Sequence, residues 1–163
     1  MHRVAEVVSR ARHGHDVSDE SRILESALQT WSIDSIHATD SYSEAMAQIA
    51  QSYKLCGLLV LSAVTPSGNS SAEEAENVYK DALNSILRVC VLSTSMATLT
   101  WPLYIVGRLA RTAGDRTVVS HIFSQLFEKY HMRVVEGAKN AVTDRWKENL
   151  GGGVDWKNPT LLA

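Results

Sequence analysis

The sequence predicts an all-α fold: a single-domain bundle of about seven helices around a central apolar helix. Three observations carry it. Apolar residues recur at three- and four-residue spacings in nearly every segment. No run alternates apolar and polar residues, and no hairpin turn joins such runs. One stretch, Leu55-Cys56-Gly57-Leu58-Leu59-Val60-Leu61, is apolar on every side and needs other helices around it.

The elements follow in order. Val4, Val7, Val8 and Ala11 mark a first amphipathic helix, punctuated by His13-Gly14-His15. A second begins near Ser18, where Asp19 and Glu20 suit the positive end of the helix dipole. Its expected stripe is Ile23, Leu24, Ala27, Leu28 and Trp31, followed by a polar connector from Ser32 to Asp40. The longest helix runs from Tyr42 to Val64, amphipathic through Met46, Ile49 and Tyr53 before its apolar half. Pro66-Ser67-Gly68-Asn69-Ser70 reads as a loop. Ser71 and Glu74 form a capping box. The helix behind them carries Ala75, Val78, Tyr79, Ala82, Leu83, Ile86, Leu87 and Cys90.

Another helix starts near Thr100, with Pro102 tolerated in its first turn, and is expected to stop at Gly114. Asp115 is the expected cap of the next helix, which carries Val118, Val119, Ile122, Phe123, Leu126 and Phe127. The last helix carries Val134, Val135, Ala138, Ala141, Val142 and Trp146 and ends at Gly151-Gly152-Gly153.

Composition narrows the function. The 163 residues are 45% hydrophobic and 21% charged, which fits residues 1–163 as one helical domain with its own core. A net charge of -2 argues against direct nucleic-acid binding, which calls for a basic face. Cys56 and Cys90 are too few for a disulfide scaffold or a cysteine zinc site, and point to an intracellular, reducing setting. No secretory leader and no membrane span are expected, because the densest apolar stretch, Leu55 to Val64, covers about half of the ~20 residues a bilayer crossing needs.

Signatures of phosphate loops, hydrolase elbows and zinc-protease helices are absent, so no cofactor is expected. His13 and His15 flank a glycine at a spacing that could chelate, but histidines in a surface turn are ordinary, and no metal is expected. His121 lies beside an apolar face and could act as general acid or base, or simply hydrogen-bond at the core boundary. Cys56, on the same face as Tyr53, reads as a small hydrophobe. Arg108 and Arg111, three apart, could hold a carboxylate or form a solvated face. Trp31, Trp101, Trp146 and Trp156 fall at helix ends, where indoles anchor elements and can also line pockets.

Trp101-Pro102-Leu103-Tyr104-Ile105-Val106-Gly107, with Gly114-Asp115-Arg116, resembles a Trp-Pro-Leu-Phe-Ile-Ala-Gly…Asp-Arg stretch of the fungal-specific transcription factor domain. Leu28 to Trp31 is similar to that family's Leu-x-x-Trp helix end, Tyr53 to Leu61 to its central helix, and Trp146 and Asp155-Trp156 to its closing motifs. The resemblance runs from about Leu24 to Trp156. It implies that Trp101, Pro102, Gly107, Asp115 and Arg116 are fold determinants: a helix start, a close helix contact, and a cap with its neighbour.

The chain lacks the six-cysteine zinc cluster and basic flank of such regulators, so their DNA binding does not carry over. Two readings follow. One is a regulatory domain that binds a small apolar molecule or a regulatory protein, acting in the nucleus. Its expected ligand-binding residues are Tyr53, Trp101, Tyr104 and Tyr130. The other is a cytoplasmic, cofactor-independent isomerase or cyclase of secondary metabolism, with His121, Tyr104 and Arg108 as its catalytic groups. The sequence also leaves a homodimer open.

Overall fold

The computed structural model describes residues 2–32, 40–64, 71–92 and 96–148. Within them lie seven α-helices and no strand, in the order α1 (His2–Arg12), α2 (Ser18–Thr30), α3 (Ser41–Val64), α4 (Ala72–Leu92), α5 (Thr100–Leu109), α6 (Ala113–Tyr130) and α7 (Arg133–Glu148). A single 3-10 turn, Met96–Leu99, leads into α5. The all-α bundle expected from periodicity is therefore the observed one. The expected loop at Pro66–Ser70, the Gly151–Gly153 terminator, Asp155-Trp156 and most of the connector after Ser32 lie outside the described residues.

The central position of α3 follows from its sequence. Leu55, Cys56, Gly57, Leu59, Val60, Leu61, Ala63 and Val64 are all buried, and α1, α2, α4 and α5 pack around them. By length and composition α3 could also cross a bilayer, but 56% of its most apolar window is buried inside the bundle. Its first half turns Ala45, Ile49 and Ser52 inward and leaves Met46 exposed.

Local chemistry sets the helix ends. The glycine after α1 has φ 78°, a left-handed conformation that costs glycine little. With it, the Gly14 amide bonds the Ala11 carbonyl and the His15 amide bonds the Arg10 carbonyl, a Schellman closure. Arg10 holds Glu20 at 2.6 Å and ties α1 to α2. Asp40 accepts the Ser43 amide at 2.7 Å ahead of α3. The Ser71 capping box forms as expected: the Ser71 amide donates to Glu74 at 2.7 Å, and the Glu74 amide to the Ser71 hydroxyl at 3.1 Å.

Three expectations are corrected. The buried line of α2 is Val17 and Ser21, extended by half-buried Leu24 and Leu28, whereas Ile23 is 60% and Trp31 43% exposed. This line has the narrow spacing of a helix meeting its neighbours along one seam, and Ser21 is small enough to allow the approach. Next, α5 ends at Leu109 rather than Gly114. Third, the cap of α6 is Thr112, whose hydroxyl accepts the Asp115 amide at 3.0 Å. Thr112 sits in an extended conformation that breaks the chain between the helices, so Gly114 falls inside the first turn of α6.

Helices α5, α6 and α7 meet at a corner built on Gly107. A Cβ on Gly107 would stand 2.9 Å from Val142 Cγ1 and 3.1 Å from Val119 Cγ1, so only a bare backbone admits α6 and α7 this closely. Into this corner Trp146 donates its indole N–H to the Gly107 carbonyl at 2.8 Å. Arg116 closes it, bonding the Ala110 carbonyl at 3.2 Å with its guanidinium 5.7 Å from the Trp146 ring. The close helix contact expected at Gly107 is borne out, whereas Arg116, expected beside the cap of α6, instead ties α6 to the end of α5.

Candidate functional site

A half-open groove of about 400 Å³ is bounded by α1, α3 and α5. Helix α1 supplies one wall through His2, Ala5, Ser9 and Arg12, a face at helical spacing beside its buried Val4 and Val8. Helix α3 supplies the floor through Tyr53 and Val60, seven residues apart and hence on one side. Trp101, Tyr104 and Ile105 of α5 form the other wall.

Each aromatic group is fixed. The Tyr53 and Trp101 rings stack with centroids 5.4 Å apart and planes 17° from parallel. Tyr53 donates its hydroxyl to the Thr98 carbonyl at 2.7 Å, locking α3 to the turn before α5. Burial pushes the Tyr53 phenol above its usual range, so it stays a neutral donor. The Tyr104 hydroxyl accepts from Arg108 Nη1 at 3.1 Å, and that guanidinium lies 5.6 Å from the Tyr104 ring. The result is an apolar, aromatic slot with few polar groups, the usual character of a small-molecule site.

The structure brings together three of the four expected ligand-binding residues, Tyr53, Trp101 and Tyr104. Tyr130 is at the far end of α6, beside Lys129, and does not line the groove. Of the expected catalytic set, Tyr104 and Arg108 touch. His121 is exposed on α6 and takes no part in the groove. Arg108 is only 8% exposed and belongs to no solvated face. Arg111 points elsewhere and pairs with Glu76 of α4 at 3.6 Å, so the two arginines form no joint clamp. Cys56 is fully buried with its Sγ 3.6 Å from the Pro102 carbonyl, and burial holds it as a thiol. The His13 ring is engaged by the Ser9 carbonyl at 2.7 Å.

The contribution of α1 was missed. Its groove face, His2, Ala5, Ser9 and Arg12, is exposed and of mixed polarity, so a hydrophobicity pattern has no reason to select it. The small side chains of Ala5 and Ser9 at regular spacing were the available signal, since they hold the slot open.

The fungal specific transcription factor domain pattern matches residues 2–161, which is nearly the whole chain and begins well before Leu24. No curated protein and no solved structure matches it.

Proposed function

Because the chain belongs to the family of fungal specific transcription factor domains, we propose that it is the effector-binding part of a transcriptional regulator, working in the nucleus. In this reading the α1–α3–α5 groove takes a small apolar molecule. The observation that carries it is the stacked Tyr53–Trp101 pair opening onto a slot of about 400 Å³, within the usual ~300–1,000 Å³ of ligand sites. The groove wall is also the helix keyed to the rest of the bundle. A ligand against Trp101 and Tyr104 would bear on α5, which is locked into α6 and α7 through Gly107 and Trp146. Such a contiguous, closely packed element can convey occupancy to a distant surface.

A thermal-shift screen of apolar small molecules tests this. Saturation at about 100 times Kd adds about 2.7 kcal/mol, which raises Tm by roughly 5–10 °C for a chain of this size. Ala5→Trp, which fills the slot from an exposed position, should abolish the shift without lowering the unliganded Tm. A shift that survives Ala5→Trp would place the ligand elsewhere and refute the assignment.

A further inference from the structure

Two tryptophans, on α5 and α7, use their indole N–H groups differently. Trp146 donates to the Gly107 carbonyl at 2.8 Å and closes the corner of α5, α6 and α7. Trp101 lines the groove and is half-buried. Its ring is stacked on Tyr53, but its N–H has no acceptor among the described residues. Unbonded, the nitrogen keeps contact with solvent instead. Resting on the effector-binding reading, we propose that the Trp101 N–H is the hydrogen-bond donor of the groove and that the ligand is an uncharged, apolar ring compound carrying a carbonyl oxygen.

The donor calls for the oxygen. An indole N–H donates and cannot accept, so a ligand that uses it must bring an acceptor. A pure hydrocarbon packed on Trp101 would strip water from the N–H and return nothing, and a site of this kind discriminates against the analogue that lacks the polar group. The neighbouring polar groups are already committed. Tyr53 donates its hydroxyl to the Thr98 carbonyl at 2.7 Å, and Arg108 holds the Tyr104 hydroxyl at 3.1 Å. His2 and Ser9 lie on the exposed face of α1. Charge is disfavoured in both directions. A cation would find no aspartate or glutamate in the lining, and an anion would have to draw the Arg12 guanidinium from the interaction it already makes. A carbonyl suits the site better than a hydroxyl, whose own proton would need an acceptor where no lining side chain is a carboxylate or an amide. Tyr53, Trp101 and Tyr104 supply aromatic surface, against which a ring compound packs well.

The test uses 1-indanone and indane, the same skeleton with and without the carbonyl, titrated into the nitrogen-15-labelled full chain. Tryptophan indole signals are followed by NMR, and Trp101→Phe identifies that of Trp101. 1-Indanone is expected to move the Trp101 N–H proton downfield to saturation and to leave the Trp146 proton, already bonded, in place. It should bind about fivefold more tightly than indane, as for one neutral hydrogen bond. Trp101→Phe keeps a ring beside Tyr53 and loses the donor. Followed on the α5 amide signals, 1-indanone should then bind about fivefold more weakly and indane as before. Far-UV circular dichroism checks the fold of the variant, and the two ligands on wild type decide the matter should it not fold. Equal binding of ketone and hydrocarbon, with the Trp101 proton unmoved, overturns the carbonyl while the apolar groove stands. Tighter binding of 1-indanecarboxylate than of 1-indanone overturns the uncharged ligand. If none of these compounds perturbs α1, α3 or α5, the effector groove itself falls.

Discussion

Replacing Gly107 by alanine tests the α5–α6–α7 corner most directly. In an open helix the change is stabilising by about 0.5–1 kcal/mol, because alanine loses less backbone entropy. At Gly107 the added methyl meets Val142 Cγ1 at 2.9 Å, Val119 Cγ1 at 3.1 Å and Val142 Cγ2 at 3.2 Å. Both valines are fully buried, so neither can turn aside into solvent. Overpacking of this kind costs about 1–3 kcal/mol. If α7 backs away, the bond from Trp146 to the Gly107 carbonyl is strained as well, and such a bond contributes about 0.5–1.5 kcal/mol. The net expectation is a loss of about 2 kcal/mol, or roughly 4–8 °C in Tm.

The assay is guanidinium unfolding followed by circular dichroism, run as a cycle with Val142→Ala. That change alone should cost about 2 kcal/mol through lost burial and a small cavity. In the double variant the new methyl has room, so its cost should nearly vanish and the two changes should couple by about 2 kcal/mol. Gly137→Ala is the control, since a Cβ there meets nothing within 4 Å, and it should stabilise. Additive losses in the cycle, or a Gly107→Ala protein at least as stable as wild type, would refute the close-contact account.

Two further outcomes follow from the helix ends and the core. Thr112→Ala removes the acceptor for the Asp115 amide and should cost about 1 kcal/mol by the same unfolding assay, whereas capping by Asp115 would leave Thr112 dispensable. Burial raises the Cys90 thiol from about 9 to about 11, so its contribution to stability is complete below pH 9 and is lost as pH rises toward 11. Unfolding midpoints measured across that range should fall, and fall less in Cys90→Ala.

The groove shows how far a linear pattern reaches. Trp101 stood out as an indole at a helix start, with Tyr104 one turn on and Tyr53 on the central helix, and all three meet there. His121, beside an apolar face, and Tyr130, at the end of the same helix, were candidates too, but α6 keeps them out of the slot. Arg108 and Arg111 looked like one unit. The turn of α5 buries the first against Tyr104, and the end of that helix sends the second to Glu76.

By itself the sequence determined the class of fold, the central place of α3 and the capping box before α4. These are local or periodic properties: each depends on residues a turn or two apart, or on an apolar face that must be covered. Only the tertiary structure decided that α1 forms a groove wall, that Trp146 and Arg116 converge on the end of α5, and that Gly107 is where α6 and α7 come closest. These depend on how helices distant in sequence are rotated and spaced. That is set by the packing of whole faces, which no single stretch of the chain records.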